Sequence, residues 1–287
     1  MEFEVVRSLR ALQAAIARHR NGPLNSAASV AIVPTMGAIH EAHEKLIDEA
    51  KKHADIIMAS IFVNPKQFSK NEDFDEYPKS EKEDIAKLKA RGCDIVFIPD
   101  VDLMYPEDFD LTINVPKLSS VLCGKSRPNH FEGVATVVAK LLIQSNADYA
   151  VFGEKDYQQL LIIKTLVKSL NISCKIIEIE TVRDDEGCAL SSRNLYLDKT
   201  NKQIANQINI ILKETIKNYC IGDDLVKLKN SIREKFISKG IKDIDYIEVM
   251  DSDNLEESKI DSLNKRIFIA VNIEGVRLID NMKLQVT

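Results

Sequence analysis

The stretch SVAIVPTMGAIHEAHEKLIDEAKKHADIIMASIFV, residues 29–63, contains two apolar runs separated by a segment of helical length. The second run, IIMASIFV at 56–63, is continuous enough to predict a strand that is buried on both faces. Residues 41–53 have the apolar spacing of a helix. Because two parallel strands are joined through a crossover that is usually a helix, this stretch predicts a βαβ unit and an α/β fold.

The same alternation continues on both sides of this unit. Helical spacing over 7–20 precedes it, and charged or apolar helical segments alternate with short strands after it. The later helices are predicted at about 80–91, 132–145 and 155–170, and the later strands at 94–98, 149–152 and 174–180. We therefore predict a Rossmann-like, doubly wound parallel sheet, in which ligands bind beyond the carboxyl ends of the strands.

The alternation ends at a polar stretch, TVRDDEGCALSSRNLYLD, residues 181–198. Beyond it lie helical patterns at about 199–218 and 223–238, and strand patterns at 244–250 and 266–273. We predict a Rossmann-like domain over 1–181 and a second, smaller α+β domain over 182–287, which closes over the site as a lid.

The composition excludes several classes of function. A formal net charge of −5 gives no general attraction to nucleic acid or to an anionic membrane. No apolar stretch approaches the roughly 20 residues that cross a bilayer, and the start lacks the apolar core of a signal peptide. The five cysteines are widely spaced without a C-x-x-C pair, which favours reduced thiols. We predict a cytoplasmic protein that binds small molecules.

Five polar stretches follow predicted strands or interrupt the pattern: PTMGAIHEAH (34–43), NPKQF (64–68), GKSRPNHFEG (124–133), GEKDYQQL (153–160) and SSRN (191–194). In the first, His40 and His43 are three residues apart at a helix start, so both imidazoles can face one cleft. They could be core or capping residues, or metal ligands, although the spacing is not H-E-x-x-H. They could also bind phosphate together with the free N–H groups of the helix start.

The other polar stretches repeat this choice between structural and binding roles. Lys155 lies at a helix start, where an anion is favoured, although such a lysine is often only a surface residue. Gly153 is expected to let the chain turn. Of Gln158 and Gln159, one should face solvent and the other could donate to a substrate. The SSRN loop could be a solvated turn, or its arginine could stabilise charge on phosphate oxygens.

Two further segments raise the question of a cofactor. CGKS at 123–126 looks like the end of a P-loop, but the required first glycine would fall at Ser119, which argues against P-loop chemistry. The acid-rich stretch EDFDEYPKSEKED at 72–84 is mostly a solvated face in our interpretation. Its Glu83 and Asp84 could hold Mg²⁺ through water, because Mg²⁺ keeps several waters and bridges to phosphates.

The order of these blocks is more specific than any one of them. PTMGAIHEAH, SIFVNPKQF, YPKSEKED, RPNHFEGVATVVAKLL, FGEKDYQQL and LSSRNLYL together resemble the pantothenate synthetase family, also called pantoate–β-alanine ligase. This family belongs to the nucleotidyltransferases with an H-x-G-H signature. The resemblance is close over about 28–200 and resumes weakly at RIFIAVNIEGVRLIDN near the end of the chain.

The resemblance implies a two-step reaction, in which ATP activates pantoate as an adenylate and β-alanine then displaces AMP. It implies Mg²⁺ with ATP as co-substrate and a homodimer. The implied catalytic residues are His43 as proton donor, with His40, Lys155, Ser191, Ser192 and Arg193 around the phosphates. The implied ATP-binding residues are Met36, Gly37, Ala38, Ile39, His40, Glu41, Ala42, His43, Gly153, Glu154, Lys155, Asp156, Val182, Leu190, Ser191, Ser192 and Arg193.

The substrate residues follow from the same resemblance. Gln67, Gln159 and Met36 would bind pantoate, and Gln67 would also lie near β-alanine. Three further residues are implied for the substrate pocket: Asn64, Arg127 and His130.

The sequence departs from the family pattern at three positions. Ala42 replaces the glycine between the two histidines, Lys66 replaces a common methionine in NPKQF, and Cys123 replaces the acid before the glycine of the RP block. Two alternatives therefore stay open. One is another adenylyltransferase of the superfamily, and the other is a binding protein of this fold that lost turnover through Ala42.

Overall fold

The structure is a computed structural model, and it describes residues 2–20, 28–69, 72, 74, 76–78 and 80–284. Its larger part is a sheet of six strands, and each neighbouring pair is parallel. The strands are β1 (Glu4–Val6), β2 (Val30–Thr35), β3 (Ile56–Ile61), β4 (Ile95–Phe97), β5 (Tyr149–Gly153) and β6 (Lys175–Ile179). The predicted α/β class is confirmed; β1 was not predicted.

Helices cover both faces of this sheet. They are α1 (Leu9–Arg20), α2 (Glu41–Ala50), α3 (Glu81–Ala90), α4 (Val101–Met104), α5 (Pro116–Ser119), α6 (Cys123–Ser126), α7 (His130–Ser145) and α8 (Tyr157–Ser169). Successive residues of a strand point to opposite faces, so β2 contributes Val30 and Ile32 to one apolar cluster and Ala31 and Val33 to the other. Burial on both faces explains why the strands are continuously apolar.

The strand order places a switch point at the centre of the sheet. In space the order is β1-β4-β3-β2-β5-β6, so the chain proceeds from β2 to β4 on one side and from β5 to β6 on the other. Strands β2 and β5 are neighbours, with Ala31 opposite Tyr149. The loops that leave their carboxyl ends therefore lie side by side, where doubly wound sheets bind ligands.

The rest of the described chain forms a second, antiparallel sheet with two helices. The elements are α9 (Lys199–Asn218), α10 (Leu225–Ser238), β7 (Asp243–Asp251), β8 (Lys265–Ile273) and β9 (Val276–Leu284), with strand order β7-β8-β9. The smaller α+β part is confirmed, whereas its boundary near residue 181 and its action as a lid stay predictions. The sequence analysis missed β9, because Arg277, Asp280 and Asn281 interrupt its apolar pattern.

The central strand of the second sheet, β8, is buried on both faces. Strand β8 contributes Ile267 and Ile269 to the apolar cluster formed with α9 and α10. It contributes Phe268 to the cluster that also contains residues of α7 and α8 of the first sheet.

All five cysteines have free thiols, in agreement with the sequence prediction. Among the described helices, none has the length and apolar character needed to cross a membrane.

Candidate active site

A cavity of about 250 Å³ lies beyond the carboxyl ends of β2 and β5. It brings together the three groups that the sequence singled out, namely the paired histidines, Lys155 and the Ser-Ser-Arg turn. Most of the predicted site residues line it: Met36, His40, Ala42, His43, Asn64, Gln67, Arg127, His130, Gly153, Lys155, Asp156, Gln159, Val182, Leu190, Ser191, Ser192 and Arg193.

The loop between β2 and α2 is held by helix α3. Gly37 and Ala38 both have positive φ angles, +85° and +50°, and such a backbone is strained for an alanine. The carboxylate of Asp84, which is 1% exposed, accepts hydrogen bonds from the N–H groups of Ala38 at 2.9 Å and Ile39 at 2.7 Å. Lys87 donates to the Ile39 carbonyl at 2.7 Å. These contacts fix the direction in which α2 begins.

The two histidines at the start of α2 form a close pair of neutral imidazoles whose planes are tilted by 34°. Their ring centroids are 4.1 Å apart, and the backbone N–H of His40 donates to Nδ1 of His43 at 3.3 Å. Burial, with the positive charges of Lys155 and Lys87, lowers the pKa of His40 to about 4. Burial, with His40 and the same two lysines, lowers the pKa of His43 to about 3. Because Nδ1 of His43 accepts, its proton lies on Nε2 at neutral pH.

The loop between β5 and α8 brings a cation to the same cavity. Lys155 lies in a single 3₁₀ turn, Glu154–Asp156, and its Nζ is 3.8 Å from a carboxylate oxygen of Asp156. Gly153 has an ordinary φ of −88°, so the turn itself does not require glycine. A Cβ at this position would meet no atom within 4 Å, and Gly153 therefore leaves open space beside the lysine.

The Ser-Ser-Arg turn closes the third side of the cavity. Ser191 caps a 3₁₀ turn, Ser192–Tyr196, by accepting a hydrogen bond from the Arg193 N–H at 3.3 Å. Its hydroxyl hydrogen is therefore free to donate elsewhere. Just before this turn, the N–H of Leu190 donates to the carbonyl of Val182 at 3.0 Å, which closes a short hairpin.

A chain of hydrogen bonds orients Gln67 at the cavity wall. The Tyr105 hydroxyl donates to Oδ1 of Asn64 at 2.8 Å, and Nδ2 of Asn64 donates to Oε1 of Gln67 at 3.0 Å. Nε2 of Gln67 lies 3.0 Å from the sulfur of Met36. Asn64 is only 1% exposed, so it positions Gln67 rather than offering its own amide to a substrate. Sequence reasoning did not find Tyr105, since an isolated tyrosine carries no signal of such a contact.

Arg127 and His130 are also engaged within the protein. Arg127 forms a two-pronged ion pair with Glu72, at 2.7 and 2.6 Å, and its Nη1 lies 2.9 Å from Nε2 of His130. Because the guanidinium can only donate, Nε2 of His130 accepts, and Nδ1 donates to the Gln67 carbonyl at 2.8 Å. Burial, with the Arg127 charge, lowers the pKa of His130 to about 3. The pair thus supports the wall that carries Gln67.

The two adjacent glutamines of GEKDYQQL have different environments from those expected. Gln158 does not face solvent: it is 5% exposed and donates to the carbonyls of Leu118 and Val121, both at 2.7 Å. Its Oε1 accepts from the N–H of Cys123 at 3.1 Å, within the segment that resembles the end of a P-loop. Gln159 lines the cavity, so it is the glutamine that can reach a substrate.

A family model described as pantoate-beta-alanine ligase matches residues 4–283. The chain belongs to this family. The pantothenate synthetase of Paramagnetospirillum magneticum is 42% identical over 281 residues, which cover 98% of each chain. The pantothenate synthetase of Ruegeria sp. strain TM1040 is 41% identical over 256 residues, 88% of this chain and 91% of the relative.

Solved structures agree with this membership. The pantothenate synthetase of Thermus thermophilus superposes with a TM-score of 0.91 at 33% identity, covering 99% of this chain and 100% of its own. The pantoate-beta-alanine ligase of Francisella tularensis, solved with beta-gamma ATP and beta-alanine, superposes with a TM-score of 0.81 at 37% identity and covers 98% of both chains.

Some predicted residues of this ligase-family chain do not reach the cavity. Glu83 and Asp84 do not form a shared metal site, because Glu83 is exposed while Asp84 is buried with its oxygens occupied by the α2 loop. The remaining residues are absent from the cavity wall: Gly37, Ala38, Ile39, Glu41 and Glu154. The N–H groups of Ala38 and Ile39 serve Asp84, so they are not free for phosphate. The acidic residues 73 and 75 of the 72–84 stretch lie outside the described residues.

The three departures from the family pattern have different surroundings. Ala42 lines the cavity between the two histidines. Lys66 points away from it, with Nζ 4.8 and 4.6 Å from the ring centroids of Tyr105 and Phe109. Cys123 lies between the two sheets, with Sγ 3.1 Å from the Tyr246 hydroxyl. Of the three, only Ala42 lines this cavity.

A second cavity of about 760 Å³ adjoins the first. The two share Arg127, Lys155, Asp156, Ser191 and Arg193, so they form one continuous opening. The far wall of the second cavity comes from the hairpin between β8 and β9, around residues 272–280. The sequence analysis gave this hairpin no role, although the RLIDN segment of the family resemblance falls within it.

Proposed function

We propose that this chain condenses pantoate with β-alanine to give pantothenate, using ATP and passing through a pantoyl adenylate. One observation carries the proposal: two neutral imidazoles, a lysine and a Ser-Ser-Arg turn converge on one cavity at the switch point of the sheet. Family membership and the Francisella tularensis relative, solved with beta-gamma ATP and beta-alanine, support it.

The proposed chemistry has two steps, because a carboxylate does not accept an amine without a better leaving group. In the first, a carboxylate oxygen of pantoate bonds to the α-phosphorus of ATP, and the bond from that phosphorus to the bridging oxygen of the β-phosphate breaks. Pyrophosphate leaves with the electron pair. In the second, the amine of β-alanine bonds to the activated carbonyl carbon, loses a proton and expels AMP. Both steps develop negative charge that the site must stabilise.

The charged and neutral donors divide this task. Nε2–H of His43 donates a hydrogen bond to a phosphate oxygen without a charge of its own, so in our proposal it acts as a neutral hydrogen-bond donor. The ammonium of Lys155 and the guanidinium of Arg193 offset the charge that develops on the transferring phosphate. His40 and the hydroxyls of Ser191 and Ser192 complete the phosphate site in our proposal.

Pantoate occupies the part of the cavity bounded by the glutamines in our proposal. Gln67 is held by Asn64 and Met36, and Gln159 projects from the first turn of α8. Their amides bind the hydroxyls and carboxylate of pantoate, and Gln67 also lies beside β-alanine. Fixed amides of this kind place the carboxylate near the α-phosphorus, which accelerates the first step by orientation.

Mg²⁺ enters the proposal only as the ion that accompanies ATP. The described residues contain no group of three or more histidine, cysteine or acidic side chains placed to hold a metal. Asp84 is buried and engaged, so the predicted pair with Glu83 does not fit such an ion. A homodimer and a cytoplasmic location stay proposals based on the family.

The deciding experiment follows AMP release with pantoate, β-alanine and ATP present and then with each substrate omitted in turn. We expect AMP release only with all three, and pantoate-dependent exchange of radiolabel between pyrophosphate and ATP without β-alanine. Exchange that requires a nucleotide or a phosphorylated pantetheine instead of pantoate would favour another adenylyltransferase. ATP binding in a calorimeter without any exchange would favour the inactive binding protein.

A further inference from the structure

The strands β8 and β9 contact the loop that carries Lys155. Nδ2 of Asn281, on β9, donates to the backbone carbonyls of Glu154 and Lys155, both at 2.9 Å. Asn281 is 4% exposed, so water does not compete for these bonds. Both donor hydrogens of one amide are therefore used on consecutive residues of the 3₁₀ turn that presents the lysine.

Arg266, on β8, determines the direction of this amide. Arg266 is 7% exposed, and its guanidinium donates to Oδ1 of Asn281 and to Oε2 of Glu154, the latter at 3.0 Å. It also lies 3.7 Å from the centroid of the Tyr157 ring, at the start of α8. Because the arginine can only donate, the amide oxygen must face it, and the amide nitrogen must face the loop.

The residue before Asn281 holds the other phosphate loop. The carboxylate of Asp280 accepts two hydrogen bonds from the guanidinium of Arg183, at 2.7 and 2.8 Å. Arg183 also donates to the carbonyl of Gly187 at 3.2 Å, within the hairpin that leads to the Ser-Ser-Arg turn. Consecutive residues of a strand point to opposite sides, so β9 contacts one loop with Asn281 and the other with Asp280.

We propose that Asn281, oriented by Arg266, is a positioning residue for Lys155, and that β9 fixes the separation between Lys155 and the Ser-Ser-Arg turn. The inference rests on the proposed function, because it concerns the geometry of that phosphate site. Motion of the second sheet as a lid then either carries the Lys155 loop with it or breaks these buried hydrogen bonds.

The test replaces Asn281 by aspartate. Asn281→Asp keeps the size and the acceptor for Arg266, but removes both donors and places a carboxylate oxygen beside two carbonyl oxygens. Asn230→Asp, on the exposed face of α10, is the matched control for the same chemical change in the second domain. Asn281→Ala, which adds no charge, is the second variant if Asn281→Asp does not fold.

We expect Asn281→Asp to lower kcat of the pantoate-dependent exchange about 10- to 100-fold, because misplacing a catalytic group by about 1 Å has effects of this size. The KM for pantoate should stay within about twofold in the same comparison, since Gln67 and Gln159 are not displaced. In a Lys155→Ala background, Asn281→Asp should cause no further loss, because residues that act through one group are not additive. If Asn281→Asp lowers kcat in the Lys155→Ala background by the same factor as in the unmodified protein, the proposal is overturned.

Hydrogen exchange tests the same contact without any enzyme assay. Asn281→Asp should accelerate amide exchange in residues 153–157 and leave β2 and β3 unchanged, while Asn230→Asp should change neither region. Amide hydrogen exchange at residues 153–157 that is the same in Asn281→Asp as in the unmodified protein would overturn the proposal. If the unmodified protein shows no pantoate-dependent exchange of radiolabel, the proposed function fails, and the hydrogen-exchange comparison still decides whether Asn281 positions this loop.

Discussion

The loops before α2 and before α8 face the same cavity, but different parts of the molecule hold them. The α2 loop is held by Asp84, a carboxylate of the first sheet's own helix α3, which accepts from backbone N–H groups. The α8 loop is held by Asn281 of the second sheet, which donates to backbone carbonyls. Asp84 therefore occupies backbone donors of the α2 loop, whereas Asn281 occupies backbone acceptors of the α8 loop.

This difference separates the two halves of the site. The loop that leads to the histidine pair is held by Asp84 and Lys87 of α3, which belongs to the first sheet. The position of Lys155 depends on β9, which comes more than 100 residues later in the chain. Changes in the second sheet should therefore impair the lysine and leave the histidines unaffected, whereas changes in α3 should do the reverse.

The largest expected effect comes from removing a group that binds phosphate in our proposal from either loop. Lys155→Ala and His43→Ala should each lower the rate of pantoate-dependent pyrophosphate–ATP exchange by at least about 100-fold, the usual cost of losing one such donor. Lys164→Ala and His53→Ala are the controls. Lys164 lies in α8 and His53 follows the end of α2, and neither residue lines the cavity. Near-normal exchange in either test variant would refute the role given to that residue.

A smaller effect is expected when the α2 loop loses its acceptor. In Asp84→Asn, the NH₂ group replaces one of the two accepting oxygens and cannot accept a hydrogen bond from the backbone N–H that it faces. This loss should lower the free energy of unfolding by about 2–3 kcal/mol. Hydrogen exchange should accelerate in residues 37–40 and stay unchanged in 153–157. Urea unfolding and exchange mass spectrometry measure both quantities.

The adjacent residue provides the control for this change. Glu83→Gln, at an exposed site, should alter the free energy of unfolding by less than about 0.5 kcal/mol. It should also leave the Mg²⁺ dependence of turnover unchanged, because the structure gives the pair no shared site. A Glu83→Gln variant that needs much more Mg²⁺ would restore the metal role predicted from the sequence.

Much of the fold could be predicted because burial leaves a pattern in the chain. Strands covered on both faces, such as β2 and β3, are continuously apolar, and α9 matches its predicted range of 199–218 at both ends. Strand β9 could not be found in this way, because polar residues on both of its faces interrupt the apolar pattern. Asp280 binds Arg183 on one face, and Asn281 binds the Lys155 loop on the other. Arg277 pairs with Asp245 of β7.

The site was predictable to the extent that its residues lie in loops after strands. His40, His43 and Lys155 follow β2 and β5, and the parallel sheet places these loops together. The supporting residues Asp84 and Tyr105 were not predictable, because their partners are backbone groups or side chains distant in the chain. The RLIDN segment was the one signal that could have indicated Asn281.

Three histidines with lowered pKa values predict a dependence of stability on pH. The pKa values of His40, His43 and His130 are about 4, 3 and 3, all below the ordinary value of 6.5. Below pH 6.5 the unfolded chain binds protons that the folded chain does not, so stability falls as the pH falls from 6.5 toward 4. Each such histidine contributes up to about 1.4 kcal/mol per pH unit.

Urea unfolding at pH 7, 6 and 5 measures this slope, and above pH 6.5 the contribution of the histidines should be constant. In a His130→Asn variant, the free energy of unfolding should depend less steeply on pH. The slope should decrease by up to about 1.4 kcal/mol per pH unit, which corresponds to one proton, since one of the three histidines is removed. A free energy of unfolding that stays constant from pH 7 to pH 5 would show that these imidazoles are not held neutral in the folded state.

The smallest effect is expected at the departure between the two histidines. Ala42 lies in the first turn of α2, where glycine costs about 0.5–1 kcal/mol relative to alanine, so Ala42→Gly should destabilise the protein by this amount. Because Ala42→Gly removes one methyl group from the cavity lining and none of the proposed phosphate-binding groups, we expect kcat to change by less than about threefold, or ~0.7 kcal/mol in the barrier. Chemical denaturation and AMP release measure the two effects on the same samples. Turnover that appears only in Ala42→Gly would instead show that the Ala42 methyl group blocks catalysis, and that this chain is the inactive binding protein.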